Sequence, residues 1–155
     1  MQDGTLDLDF IVTGVDGRPI VLGEIRRETD VDERWANEYR QNLSAMGPVH
    51  QAEYFMLVCP DRTFLWNDAW NLERKPICEI STASYLEPIL DAAGYTLADA
   101  NESLLQFAVR EWLGTLIDPK SSDLSEAETK WIREIGLDQA IKGGSVELGL
   151  PSGAW

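Results

Sequence analysis

DFIVTGVDGRPIVLGEIR, residues 9–26, carries two alternating runs separated by an Asp-Gly pair. In residues 5–13, Leu6, Leu8, Phe10 and Val12 share one face; Asp7, Asp9, Ile11 and Thr13 share the other. That is the period of a strand. Residues 19–26 repeat it, with Val21, Gly23 and Ile25 on one side and Ile20, Leu22, Glu24 and Arg26 on the other. Asp16-Gly17 predicts a two-residue type I′ turn, which needs positive φ at both central residues. In a hairpin centred there, Asp9 and Glu24 lie equally far from the turn and face each other across the two strands.

Opposed side chains in such a pair have Cβ atoms roughly 4.5–5.5 Å apart, and proteins avoid like charges at that spacing. Two readings follow. A divalent cation can hold both carboxylates, as Mg²⁺ is held by one or two carboxylates with water and substrate phosphate. Alternatively the acids lie on a solvated edge, with Arg26 neutralising them. In the first reading Arg26, on the face of Glu24, donates to a phosphate or to the attacking water.

Outward from the hairpin, residues 31–46 change to a helical period, with Val31, Trp35, Tyr39, Leu43 and Met46 on one stripe. Asp30 and Glu33 predict a capping box, and Gly47-Pro48 a stop. EYFMLVCP, 53–60, is an apolar run of strand length, expected at the centre of a sheet. TFLW, 63–66, returns after Asp61-Arg62, and ICEI, 77–80, adds a short edge strand. Beyond residue 82 the pattern is helical: a short helix from Ser84 to Gly94 with Pro88 disturbing its first turn, and a long amphipathic one over 102–117 ended by Asp118-Pro119. A third is capped by Ser125 and Glu128 and carries Trp131, Ile132 and Ile135. Gly143-Gly144 stops the last turn and a fraying tail follows. The expectation is one domain over 1–155: an α/β core at 5–80, a C-terminal helical extension at 81–142 and a tail at 143–155.

A strand with Asp, a turn, a strand with Glu-x-basic, a helix and an apolar strand together resemble the PD-(D/E)xK nuclease superfamily. The resemblance covers about residues 5–67. It implies the restriction-endonuclease-like fold: an α/β mixed sheet with a ββαββ core, here with a C-terminal helical cap. Leu8-Asp9 matches the Pro-Asp pair, and Glu24-Ile25-Arg26 the (D/E)-x-K triplet, with Arg in place of Lys. The implied site is Asp9 and Glu24 on Mg²⁺ or Mn²⁺, with Arg26 as the third catalytic residue. The implied activity is metal-dependent hydrolysis of phosphodiesters in DNA or RNA; the alternative is a catalytically degenerate module for binding or assembly. Arg26 keeps the charge of Lys but stays protonated and cannot act as a base. The family core also opens with a helix that often carries an acidic metal-site residue. Only MQDG precedes the first strand here, so a further stretch of chain, a partner or the C-terminal helices must fill that place. Among Asp7, Glu28 and Asp30, Asp7 is the best accessory ligand because it shares the face of Asp9.

The bulk numbers limit the partners. The 155 residues carry a formal net charge of −14 with no basic tail or block, which argues against tight binding of nucleic acid by charge alone. Nucleic-acid contact is expected to be weak and metal-assisted; Arg26, Arg27, Arg34 and Arg40, clustered in sequence, leave a local basic groove open as an alternative, and a protein partner or homo-oligomer is a further candidate. Cys59 and Cys78 make no disulfide framework. MQDGTLDLDF lacks the pattern of a signal peptide and no apolar run spans a membrane, so the expected location is cytoplasmic. His50 is the lone histidine, which speaks against a zinc site. Trp35, Trp112 and Trp131 lie on helical stripes. Trp66 and Trp70, near Arg62, Arg74 and Lys75, are placed either to stack bases or, more ordinarily, to pack.

Overall fold

The computed structural model describes residues 9–45, 52–67, 75–118 and 126–148. Strands β1 (Phe10–Thr13) and β2 (Pro19–Ile25) form the antiparallel hairpin, with Phe10 opposite Gly23, Ile11 opposite Leu22 and Val12 opposite Val21. This is the register expected from the sequence, but the turn differs. The Gly17 N–H donates to the Gly14 carbonyl (2.9 Å) and the Gly14 N–H to the Arg18 carbonyl (2.8 Å), which leaves Val15–Gly17 as a three-residue loop. Gly17 (φ +86°) has positive φ and Asp16 does not, the pattern of a turn followed by a left-handed glycine rather than type I′. The loop shifts the pairing by one residue, placing Thr13 opposite Pro19; an irregularity at Ile20 shifts it back. The burial of Phe10, Val12, Val21 and Ile25 on one face explains the recovery, because a one-residue slip would turn them all outward. Phe10 covers Gly23 so closely that a Cβ there would collide with its ring.

Helix α1 (Glu33–Ala45) crosses from β2 to β3 (Tyr54–Val58), which pairs parallel to β2. The cap of α1 is Asp32, whose Oδ1 accepts from the Trp35 N–H (2.9 Å). The expected capping residue, Asp30, instead adopts φ +57° and donates its N–H to Asp61 (2.8 Å). Strands β4 (Arg62–Asn67) and β5 (Cys78–Ser81) continue antiparallel. Every residue of β3 is buried, as its apolar run predicts.

Four helices follow: α2 (Ala83–Ala92), α3 (Glu102–Ile117), α4 (Glu126–Ile135) and α5 (Leu137–Ile141). Pro88 lies inside α2, not at an irregular start, and Thr82 rather than Ser84 occupies the N-cap position. The helices are no appended cap. Leu86, Leu105, Val109, Trp112, Leu113 and Ile132 bury the sheet face formed by Phe10, Val12, Met56, Val58 and Leu65. The opposite face, Leu22, Phe55, Leu57, Phe64 and Trp66, packs under α1 through Ala36, Trp35, Tyr39 and Leu43. Buried hydroxyls bind the two halves: Thr63 bonds Thr82 and Tyr85, and Thr82 donates to the Cys59 carbonyl (2.6 Å).

The segment expected as a frayed tail contains a strand. Residues Ser145–Leu148 form β6, antiparallel to β1, completing a six-stranded mixed sheet of order β5-β4-β3-β2-β1-β6. The preceding glycines permit it: Gly143 has φ +78°, and a Cβ on Gly144 would collide with the Thr13 carbonyl. The fold is thus α/β, with the ββαββ order expected from sequence extended by β5, four helices and β6. Ser125 and the residues after 148 lie outside the described residues, so the Ser125–Glu128 box is not described, and Asp7, His50, Trp70 and Arg74 lie outside them too.

Candidate functional site

The site lies where β2 ends. Asp9, one residue before β1, extends the ladder by donating its N–H to the Gly23 carbonyl (3.0 Å). Its carboxylate then accepts the Ile25 N–H (2.7 Å), taking the place of a partner-strand carbonyl. Glu24 lies opposite and is 5% exposed. The solvated-edge reading therefore fails for Glu24: the acid pair is formed, and one member is inside the protein.

Burial pushes the Glu24 carboxyl up from 4.5 to about 9, and the hydrogen bond to Asp9 and the Asp9 charge act in the same direction. Arg26 opposes the shift, and Glu102 adds to it. At neutral pH this shift favours the protonated form of the Glu24 carboxyl. Tyr39 of α1 feels the same field. Burial first, then the Glu24 charge, raises its hydroxyl from 10.0 to about 12.

Two contributors come from α3, nearly a hundred residues away. The Gln106 Nε2 donates to Asp9 Oδ1 (3.5 Å), and Glu102 stands one turn earlier. Asn101 starts the helix by accepting the Leu104 N–H at its Oδ1 (2.8 Å). Sequence reasoning missed both site residues. Their spacing of four placed them on one helical face, but nothing local tied that face to Asp9.

Arg26 reaches the site but is engaged elsewhere. Its guanidinium makes a two-pronged contact with Glu28 (2.8 and 3.2 Å) and stacks over the Tyr39 ring, 5.3 Å from the centroid. Pairing with Glu28 is the main cause that raises its pKa further. Glu28 is thus the counter-ion of Arg26. Beside the acid pair opens a cleft of about 380 Å³ lined by Ile25, Arg26, Arg27, Glu28 and Glu102. Asp9 and Glu24 adjoin it through Ile25 and Arg26.

The local groove of four arginines does not form. Arg40 is 1% exposed and lies over the Trp66 ring, 5.1 Å from its centroid, and Arg34 pairs with Glu38 on the surface of α1. Only Arg26 and Arg27 of the four line the cleft. Trp66 is fully buried and donates its indole N–H to Asn37 (3.1 Å), so it is packing and not a base platform. Cys59 is buried, and burial raises its thiol to about 12; Cys78 is also a free thiol.

Asp9 and Glu24 offer hard carboxylate oxygens, the donor type and number with which Mg²⁺ or Mn²⁺ is held when water and phosphate complete the shell. Among the described residues, no three His, Cys, Asp or Glu side chains converge as metal ligands. Among them, too, no helix is long and apolar enough to cross a membrane. Comparison of the chain with protein-family models, with curated proteins and with solved structures gives no match.

Proposed function

We propose that the chain is a restriction-endonuclease-like phosphodiesterase domain that uses Mg²⁺ or Mn²⁺ to hydrolyse DNA or RNA. The observation that carries this is the hydrogen-bonded Asp9–Glu24 pair at the end of β2, with Glu24 buried. Burying an acid is costly, and strongly shifted carboxyls cluster at functional sites. The parallel crossover from β2 through α1 to β3 agrees with the order on which the resemblance rests. Helix α3 supports the reading by bringing Glu102 and Gln106 to the pair.

In this reading Asp9 and Glu24 would hold the cation, which would supply Lewis-acid polarisation of the phosphoryl oxygen and a more acidic water. The chain's own residues do the rest. Glu24 would bind as the carboxylate, its proton released to solvent. Gln106 and the Ile25 N–H fix the Asp9 carboxylate from two sides. Arg26, always protonated, serves as an electrostatic donor and not as a base.

A ligand bound only by the folded state stabilises it by mass action. Ca²⁺ or Mn²⁺ is therefore expected to raise the melting temperature, and Glu24→Gln to abolish the rise. Plasmid nicking and single-strand cleavage with Mg²⁺ or Mn²⁺ test turnover. A parent protein indifferent to metal would remove the site assignment.

The engagement of Arg26 by Glu28 favours a second reading, a degenerate nuclease fold serving binding or assembly. Metal binding without cleavage in the parent would select it. In an active protein, Arg26→Ala is expected to cost about a hundredfold in rate, as loss of one transition-state donor does.

A further inference from the structure

We propose that Arg27 is the residue that seats the substrate in the cleft, by binding a backbone phosphodiester of a single-stranded oligonucleotide; this rests on the phosphodiesterase reading above. Among the described residues, four charged ones line the cleft: Arg26, Arg27, Glu28 and Glu102. Two of them, Arg26 and Glu28, satisfy each other in a two-pronged pair. Arg27 and Glu102 remain. Arg27 is exposed, and among the described residues its guanidinium has no ion-pair partner. β2 ends at Ile25, so the in-and-out alternation of the strand no longer separates residues 26 and 27, and both reach the same cleft.

The two remaining charges have different neighbours. Glu102 acts on Glu24 and belongs with the acid pair. Arg27 is the cleft's cation left to meet an anion. A guanidinium offers a planar fork of donors that matches two phosphate oxygens. On a chain of net charge −14, an approaching anion is repelled over most of the surface. A free cation in this cleft therefore fits a ligand that presents phosphate to Arg27, and a divalent cation held by the neighbouring acids would offset their repulsion of it.

The test is fluorescence anisotropy of a labelled oligothymidylate with Ca²⁺ present, comparing the parent with Arg27→Ala, Arg27→Lys and Arg34→Ala. Arg27→Ala is expected to weaken binding about tenfold and to lower the slope of log affinity against log salt by about 0.7, the value for one lost contact on a single strand. Arg27→Lys should restore part of the affinity as a point charge, and Arg34→Ala should match the parent. An oligomer with an uncharged methylphosphonate backbone should bind the parent at least as weakly as the normal one binds Arg27→Ala, since it gives up the attraction of the cation as well. Equal affinity and slope for Arg27→Ala and parent would overturn the proposal and leave metal-dependent cleavage standing. A parent that binds no oligothymidylate, with or without Ca²⁺, would overturn the Arg27 proposal, and cleavage with Mg²⁺ or Mn²⁺ decides the phosphodiesterase reading separately.

Discussion

Glu24 keeps its proton up to about pH 9 in the folded chain, whereas the unfolded chain releases it near the ordinary value of 4.5. Between these values the folded state binds the extra proton, so raising the pH favours unfolding. The contribution is fully present below about pH 4.5 and is lost as pH rises toward 9. Each pH unit in that window corresponds to up to about 1.4 kcal/mol. Glu24→Gln keeps the shape and a donor for Asp9 but cannot ionise. Urea unfolding in EDTA from pH 5 to 9 should therefore show a shallower loss of stability for Glu24→Gln than for the parent, with the variant the more stable at the alkaline end. Parallel curves would mean that Glu24 ionises freely in the folded protein.

Among the elements, α3 joins core and site. Its Leu105, Ala108, Val109 and Trp112 are buried against the sheet, while Gln106 reaches Asp9. Its start depends on Asn101, whose side chain takes one of the unpaired N–H groups of the first turn. Asn101→Ala is expected to cost about 1 kcal/mol, or about 2–4 °C in melting temperature for a chain of this size. Asn101→Asp should melt close to the parent, since it caps equally well. A full-sized loss in Asn101→Asp as well would show that the amide N–H₂, and not the cap, matters at this position.

The whole molecule spreads its basic groups among acids. Arg18 pairs with Asp16, Arg26 with Glu28, Arg34 with Glu38 and Arg62 with Glu79, and Arg40 is buried over Trp66. Such exposed pairs add little stability, but they leave no broad basic face in the described residues for a duplex. Duplex DNA in EDTA at about 0.15 M salt should therefore bind no tighter than about 10⁻⁴ M, the weak end of non-specific binding. Titration by anisotropy checks this. Micromolar affinity in EDTA would reveal a basic surface that the charge distribution does not account for.

The sequence by itself determined what depends on near neighbours. Alternation at 9–13 and 19–25 specified the hairpin, and apolar burial specified its register so strongly that Asp9 met Glu24 even though the turn has a different form. The apolar run 54–58 specified the central strand, and the helical stripe after Asp32 specified the face packed on it. Tertiary structure alone decided the rest, because it turns on contacts between residues far apart in the chain. It moved the cap of α1 from Asp30 to Asp32 by engaging the Asp30 N–H with Asp61. It made Ser145–Leu148 a strand by giving it β1 as a partner, where four residues of modest hydrophobicity have no strand signal of their own. It gave Arg26 to Glu28 and left Arg27 in the cleft, a choice that strand alternation cannot make once β2 has ended. The ionisation of Glu24 was decided in the same way. Sequence placed two acids opposite each other, but it is burial of Glu24 beside Asp9 in the folded chain that favours its protonated form.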